Sequence, residues 1–171
     1  MKQLFQQYAG YNLWANKTLL ERINQLPNEI IEKESESSFN SIYKTVLHLW
    51  DVESVWWQRI KLSEHVEWPG KTFGGDFDEL CLQLLTSSRK WYEWVSSATD
   101  TGLEHVFGYQ NSKREFFKQP VYEVLLQLFN HQTYHRGQLV TMMHQNGIDK
   151  IPATDFIIFS RNKYINSLKV K

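Results

Sequence analysis

An all-α four-helix bundle with long connections is the fold the sequence predicts. Four amphipathic stretches of roughly 20 residues each repeat their apolar positions at spacings of three and four. No segment alternates apolar and polar residues strongly enough to form a long strand. At 171 residues the chain fits one domain, 1–171, large enough to bury its core without a disulfide or a structural metal.

The first helix is expected from about Leu4 to Leu26, with Leu4, Tyr8, Tyr11, Ala15, Leu19 and Ile23 on one face. Pro27 and Asn28 end it, because proline has no N–H for the next helical bond. The polar run Glu29 to Ser38 then reads as a linking loop. A second helix begins around Asn40 or Ser41, carries Ile42, Val46, Leu49, Glu53, Trp56 and Ile60 on one stripe, and stops before Trp68-Pro69-Gly70.

Asp76 followed by Glu79 has the spacing of a capping box, and it opens a third helix to about Ala98. Phe77, Leu80, Leu84, Trp91 and Val95 are in phase on it. Residues 101–119 read as a short hairpin or an ordered loop around Gln110-Asn111-Ser112-Lys113. Pro120 suits the first turn of a fourth helix, whose inward stripe is Val121, Val124, Leu128, His135, Leu139 and Met142. Asn146-Gly147 supplies its C-cap. In the tail, Phe156, Ile157, Ile158 and Phe159 predict a short helix that packs back on the bundle.

Composition narrows the function. Nineteen basic residues balance nineteen acidic ones, which argues against a nucleic-acid binder or a polybasic membrane-surface protein. No apolar run approaches the roughly 20 residues of a membrane span. The opening residues lack the pattern of a signal peptide, and the one cysteine, Cys81, suits a reducing compartment. The expectation is a soluble cytoplasmic protein. Cys81 is in phase with Phe77 and Leu84 and reads as a packed core thiol.

The sharpest chemical feature is Asn130-His131-Gln132-Thr133-Tyr134-His135-Arg136-Gly137-Gln138. His131 and His135, four apart on a helix, project from one face closely enough to share a metal ion. Metalloproteases use the same spacing with a glutamate after the first histidine; Gln132 stands there instead, so their general base is missing. A third donor is needed, and His48 on the second helix is the candidate. Three histidines leave one position open for water or substrate, and each ligand needs a partner for its second ring nitrogen. Asp51 and Glu53 are the nearby carboxylates in sequence. His65, His105 and His144 fall in loops or near a helix end and read as surface residues.

The chain resembles the DinB/YfiT-like superfamily of small bacterial four-helix proteins. Tyr11-Asn12-Leu13-Trp14-Ala15-Asn16 is similar to its early aromatic-Trp-Ala-Asn block. Ser38-Phe39-Asn40-Ser41-Ile42, followed by Thr45 to Leu49, Glu53 and Trp56, is similar to its second helix. Asn130-His131 through Gln138 is similar to its closing helix, with Tyr134 where many relatives carry a further histidine.

The resemblance implies that His48, His131 and His135 bind a divalent metal, zinc or nickel. It also implies one of two roles. The first is a metal-dependent thiol S-transferase acting on a low-molecular-weight thiol and an electrophile; the second is a non-catalytic metal-binding or stress-response protein. A homodimer is expected on the same basis. No catalytic residue is assigned. Tyr11, Asn12, Trp14 and Arg136 are candidates to line a substrate pocket, with a structural salt bridge as the competing role for Arg136.

Overall fold

The computed structural model describes residues 1–161. Its long helices are α1 (Lys2–Ile23), α3 (Ile42–Ile60), α4 (Phe77–Ser97) and α6 (Val121–Gln145). Between them lie short helices α2 (Asn28–Glu32) and α5 (Asp100–Glu104), a 3-10 turn at Pro69–Lys71, and an antiparallel hairpin of β1 (Val106–Gln110) and β2 (Phe116–Pro120). Each long helix packs on two neighbours: α1 on α4 and α6, and α3 on the same two. This is the expected four-helix bundle. Helix α1 therefore faces α3 across the diagonal. No helix among the described residues is long and apolar enough to cross a membrane.

Local chemistry explains most boundaries. Ser41 caps α3, its Oγ accepting from Lys44 N at 3.1 Å, and Asp76 Oδ1 caps α4 by accepting from Glu79 N at 2.9 Å. Helix α6 starts directly after Pro120 and ends at Gln145, and Gly147 just beyond the Asn146 cap has a φ of +75°, the left-handed turn a helix C-terminus favours. There Ile148 N reaches back to Met143 O, closing the terminal ring of bonds.

Several expectations need correction. The Glu29–Ser38 stretch is not all loop: Pro27 O accepts from Ile30 and Ile31 N, forming α2, and Ile31 is buried in the core. Helix α3 ends at Ile60, before Trp68 as expected, and Leu62 just beyond it has a φ of +54°. Leu4 is exposed; the adjacent Phe5 is the buried residue. The 101–119 segment contains an unexpected turn of helix, α5, capped by Thr99 Oγ1, before the hairpin. The hairpin pairs Val106 with Pro120 and seals Phe107 against the core. A helical turn over 156–161 does pack back: Phe156 and Phe159 lie 5.3 and 5.9 Å from the Tyr11 ring. Tail residues 162–171 lie outside the described residues.

The core has a polar centre. Glu53, fully buried on α3, accepts at Oε1 from Asn12 Nδ2 of α1 (3.0 Å) and Ser88 Oγ of α4 (2.8 Å). Arg136 of α6, also buried, donates to the Oδ1 atoms of Asn12 (2.7 Å) and Asn16 (2.9 Å) and to Thr133 Oγ1 (2.8 Å). Gln132 Nε2 donates to Leu49 O at 2.9 Å, and Trp91 Nε1 to Glu53 O at 3.2 Å. All four long helices are thereby tied to one another by bonds made away from water, where each unmade bond would cost most.

Burial pushes the Glu53 carboxyl up from 4.5 to about 7, against the Ser88 and Asn12 hydrogen bonds and the Arg136 charge. With a folded pKa above the unfolded one, the group's stabilising contribution is complete below pH 4.5 and lost as pH rises toward about 7. In thermal unfolding from pH 4.5 to 8, the Tm of Glu53→Gln should gain on the native chain as pH rises and level off near 7. A constant gap would show that Glu53 is ionised throughout. Arg136→Met removes the donor on which two buried asparagine oxygens depend. It should cost about 2–6 kcal/mol in denaturant unfolding, about 1–3 kcal/mol for each buried acceptor left unpaired. A loss below about 1 kcal/mol, the surface-pair range, would sink that role.

Candidate metal centre

The helix α3–α6 contact brings three imidazoles together. His48 lies in the second turn of α3, and His131 and His135 are one turn apart in the middle of α6. His131 Nε2 stands 3.0 Å from His48 Nε2 and 3.1 Å from His135 Nε2. Two imidazole nitrogens each about 2.0–2.1 Å from one ion stand about 3.0–3.4 Å apart, so the spacing fits a shared cation. All three histidines offer ligand atoms within 4.8 Å of one another, and no carboxylate or thiolate belongs to this group among the described residues. The three can hold a metal ion.

Electrostatics favour the ligand form. Burial, then the facing His131 and His135, pushes His48 down to about 3. Burial and His135 push His131 down to about 4, and burial lowers His135 as well, against its Gln138 hydrogen bond. Neutral rings keep a lone pair for a cation.

The tautomer of His135 is set by Gln138. His135 Nδ1 lies 2.6 Å from Gln138 Oε1, while Gln138 Nε2 donates to Ser38 Oγ at 2.8 Å and Tyr134 OH at 3.1 Å. The amide oxygen only accepts, so Nδ1 carries the proton and Nε2 faces the other two rings bare. In one tautomer of His131 the same spacings suit a ring N–H shared between the two facing nitrogens, whereas a single cation would take all three lone pairs. His131 Nδ1 is buried and has no hydrogen-bond partner among the described residues.

The segment before α3 completes the surroundings. Thr45 Oγ1 donates to Ser41 O (2.8 Å) and lies within reach of Phe39 O (3.3 Å), drawing the loop over the helix. Phe39 then stacks on His48, ring centroids 3.9 Å apart at 22°, with His135 edge-on at 5.5 Å.

The other candidates lie elsewhere. Asn12 and Arg136 are buried in the polar centre. Arg136 has no carboxylate within ion-pair distance among the described residues, binds asparagine oxygens instead, and lies 5.2 Å from the Tyr11 ring. Tyr11 donates to Thr154 O at 2.9 Å, and Trp14 packs on Phe159 at 5.6 Å. No hydrogen bond or ring contact among the described residues joins Tyr11, Asn12 or Trp14 to the three histidines. Asp51 and Glu53 do not support the ligands: Asp51 Oδ1 accepts from Gly70 N at 2.7 Å, and Glu53 sits in the polar centre. The supporting residue is Gln138, whose signal in the sequence is its place three residues after His135, on the same helix face.

Gln132 is fully buried and bonded to Leu49 O, so it has no part in hydrolysis. His65, His105 and His144 are exposed, as expected. Cys81 is buried, its thiol pushed up to about 12 by burial and then by Asp78, which makes it a core residue.

Comparison with known proteins agrees with this architecture. "Protein DinB" of Bacillus subtilis (strain 168) is 27% identical over 158 residues, covering 87% of this chain and 89% of that protein. The crystal structure of a DinB-like protein from Bacillus cereus ATCC 10987 matches with a TM-score of 0.67 at 20% identity, covering 87% of this chain and 94% of the other. That second likeness speaks to the fold alone. The model of the DinB family matches residues 1–165, and over that span the chain belongs to the DinB family.

Proposed function

We propose that this protein uses its three-histidine centre to bind a divalent ion, zinc or nickel, and acts as a metal-dependent thiol S-transferase. Its substrates on this reading are a low-molecular-weight thiol and a small electrophile. The observation that carries the metal reading is the convergence of three Nε2 atoms, that of His131 lying 3.0 and 3.1 Å from the other two, with His135 held in the ligating tautomer by Gln138. With only three neutral protein donors, a coordination position is left for a substrate atom. A bound divalent ion would favour the thiolate of a thiol at neutral pH.

The protein's own contribution is placement. Helices α3 and α6 hold the ligands on rigid elements, Gln138 fixes one ring, and Phe39 screens His48 from water on one side. Tyr134, exposed and edge-on to His135 at 4.9 Å, offers a hydroxyl at the same rim.

One observation favours a second reading. The flat contact of Phe39 on His48 closes one side of the centre with an apolar ring, which suits a metal-binding protein without turnover. Kinetics separate the two. Transfer of a small thiol to an electrophile should be abolished by a chelator and restored by added zinc or nickel; turnover that survives the chelator would sink the transferase reading.

Elemental analysis after purification without added metal tests the centre itself. Near-stoichiometric divalent metal is expected in the native chain and in His105→Ala, and none in His135→Ala. Gln138→Ala should weaken retention about 10–100-fold, the usual effect of losing a ligand's hydrogen-bond partner. Equal metal in all variants would show that other residues bind it.

A further inference from the structure

Beyond the histidines, toward the hairpin, α3 and α6 border two adjoining cavities. One of about 500 Å³ is lined by Trp56, Tyr109, Gln119, Glu123, Gln127 and Asn130, the last of these directly preceding His131. A second, of about 590 Å³, shares Trp56, Tyr109, Gln119 and Glu123 and adds Arg59 and Lys118.

Arg59 is unusual within this wall. Its guanidinium carbon lies 4.8 Å from the Trp56 ring centroid and 5.4 Å from that of Tyr109. Its Nε is buried without a hydrogen-bond partner, and among the described residues no carboxylate lies within ion-pair distance of it. Arginine does not lose its proton in proteins, so this is a half-buried positive charge without a counter-charge.

Glu123 is an anion on both walls whose hydrogen-bond partner is a neutral amide, and Lys118 adds a second cation beside Arg59. Glu123 Oε2 accepts from Gln119 Nε2 at 3.3 Å, and Gln119 Oε1 accepts from the Tyr109 hydroxyl, so that chain closes on itself. Lys118 is exposed and takes part in no ion pair among the described residues.

We propose that Arg59, with Lys118 on the same cavity, anchors an anion subsite that takes a carboxylate or phosphate group of a small molecule. Trp56 and Tyr109 wall the guanidinium, and the planar fork suits a bidentate oxyanion. Arg59 follows His48 by 11 residues on α3, about 16 Å along the axis at 1.5 Å per residue. On the reading given under Proposed function, on which this extension rests, an elongated substrate would place its anionic end here and its reactive atom at the histidines.

The test is titration of the purified protein with succinate and, separately, with inorganic phosphate, followed by the Trp56 indole N–H resonance. A saturable shift is expected with at least one anion, and the tighter of the two identifies carboxylate or phosphate as the group recognised. Arg59→Gln should weaken it about tenfold or more, the loss of a charge-assisted fork, and Lys118→Gln should weaken it less. His135→Ala should leave it unchanged. Absence of a saturable shift with both anions, full affinity in Arg59→Gln, or loss of binding in His135→Ala would each overturn the subsite. Metal content, measured on the same samples, keeps the outcomes apart: a native chain without metal that still binds the anion through Arg59 overturns the centre and its link to this subsite, and upholds the subsite.

Discussion

The bundle is organised around one buried polar connection: Asn12 bridges Glu53 and Arg136. Its amide nitrogen donates to the carboxylate at 3.0 Å and its oxygen accepts from the guanidinium at 2.7 Å. Helices α1 and α3 face each other diagonally, so apolar contact alone would leave their relative register loosely specified. Directional bonds made out of water specify it, because a shift of one turn would strand several buried groups at once. Arg136 directly follows the ligand His135, and Gln132, which follows His131, is bonded to Leu49 O beside His48. The bonds that set the packing thus also bring His48 opposite the other two histidines.

Aromatic packing fills the space on both sides of that centre. Trp57, Trp91 and Trp94 meet edge to face at centroid separations of 5.3, 6.2 and 5.8 Å, joining α3 to α4. Trp50 packs on Phe73 at 5.2 Å and helps hold the α3–α4 connection. At the other end, Tyr8, Tyr11 and Trp14 receive the turn over 156–161. Aromatics at the hairpin have a different consequence: Trp56 and Tyr109 flank a cation and border a cavity.

The histidine centre combines two opposed requirements. A site that holds neutral imidazoles needs partial burial, which lowers their basicity; a site that admits a substrate needs an open side. Two ligands on α6 and one near the start of α3 place partly buried imidazoles on rigid helices, next to Phe39 of the 38–41 loop. Phe39 and Gln138 come from that loop and from the same turn as His135, so the surroundings of the metal position are built locally although the ligands are not.

Period and capping made the long helices legible. Apolar residues at three- and four-residue spacing, Ser41, Asp76, Pro120 and Gly147 locate them to within a few residues, because these signals act over one or two turns. The pair His131 and His135 was legible for the same reason: a spacing of four within a helix decides its own geometry. Short elements were less so. Helix α2 rests on Ile31 finding the core, and Leu4 loses its place to Phe5, since both depend on what faces them and not on local pattern. Local pattern carried the helical class, the caps, the two-histidine face and His48 as the candidate third donor. Packing across the bundle is what brings His48 against the other two, puts Asn12 and Arg136 in the core, sets Gln138 behind His135, and leaves Arg59 without a counter-charge among the described residues. These are contacts between residues far apart in the chain, and their energy comes from burial and direction, neither of which a one-dimensional pattern carries.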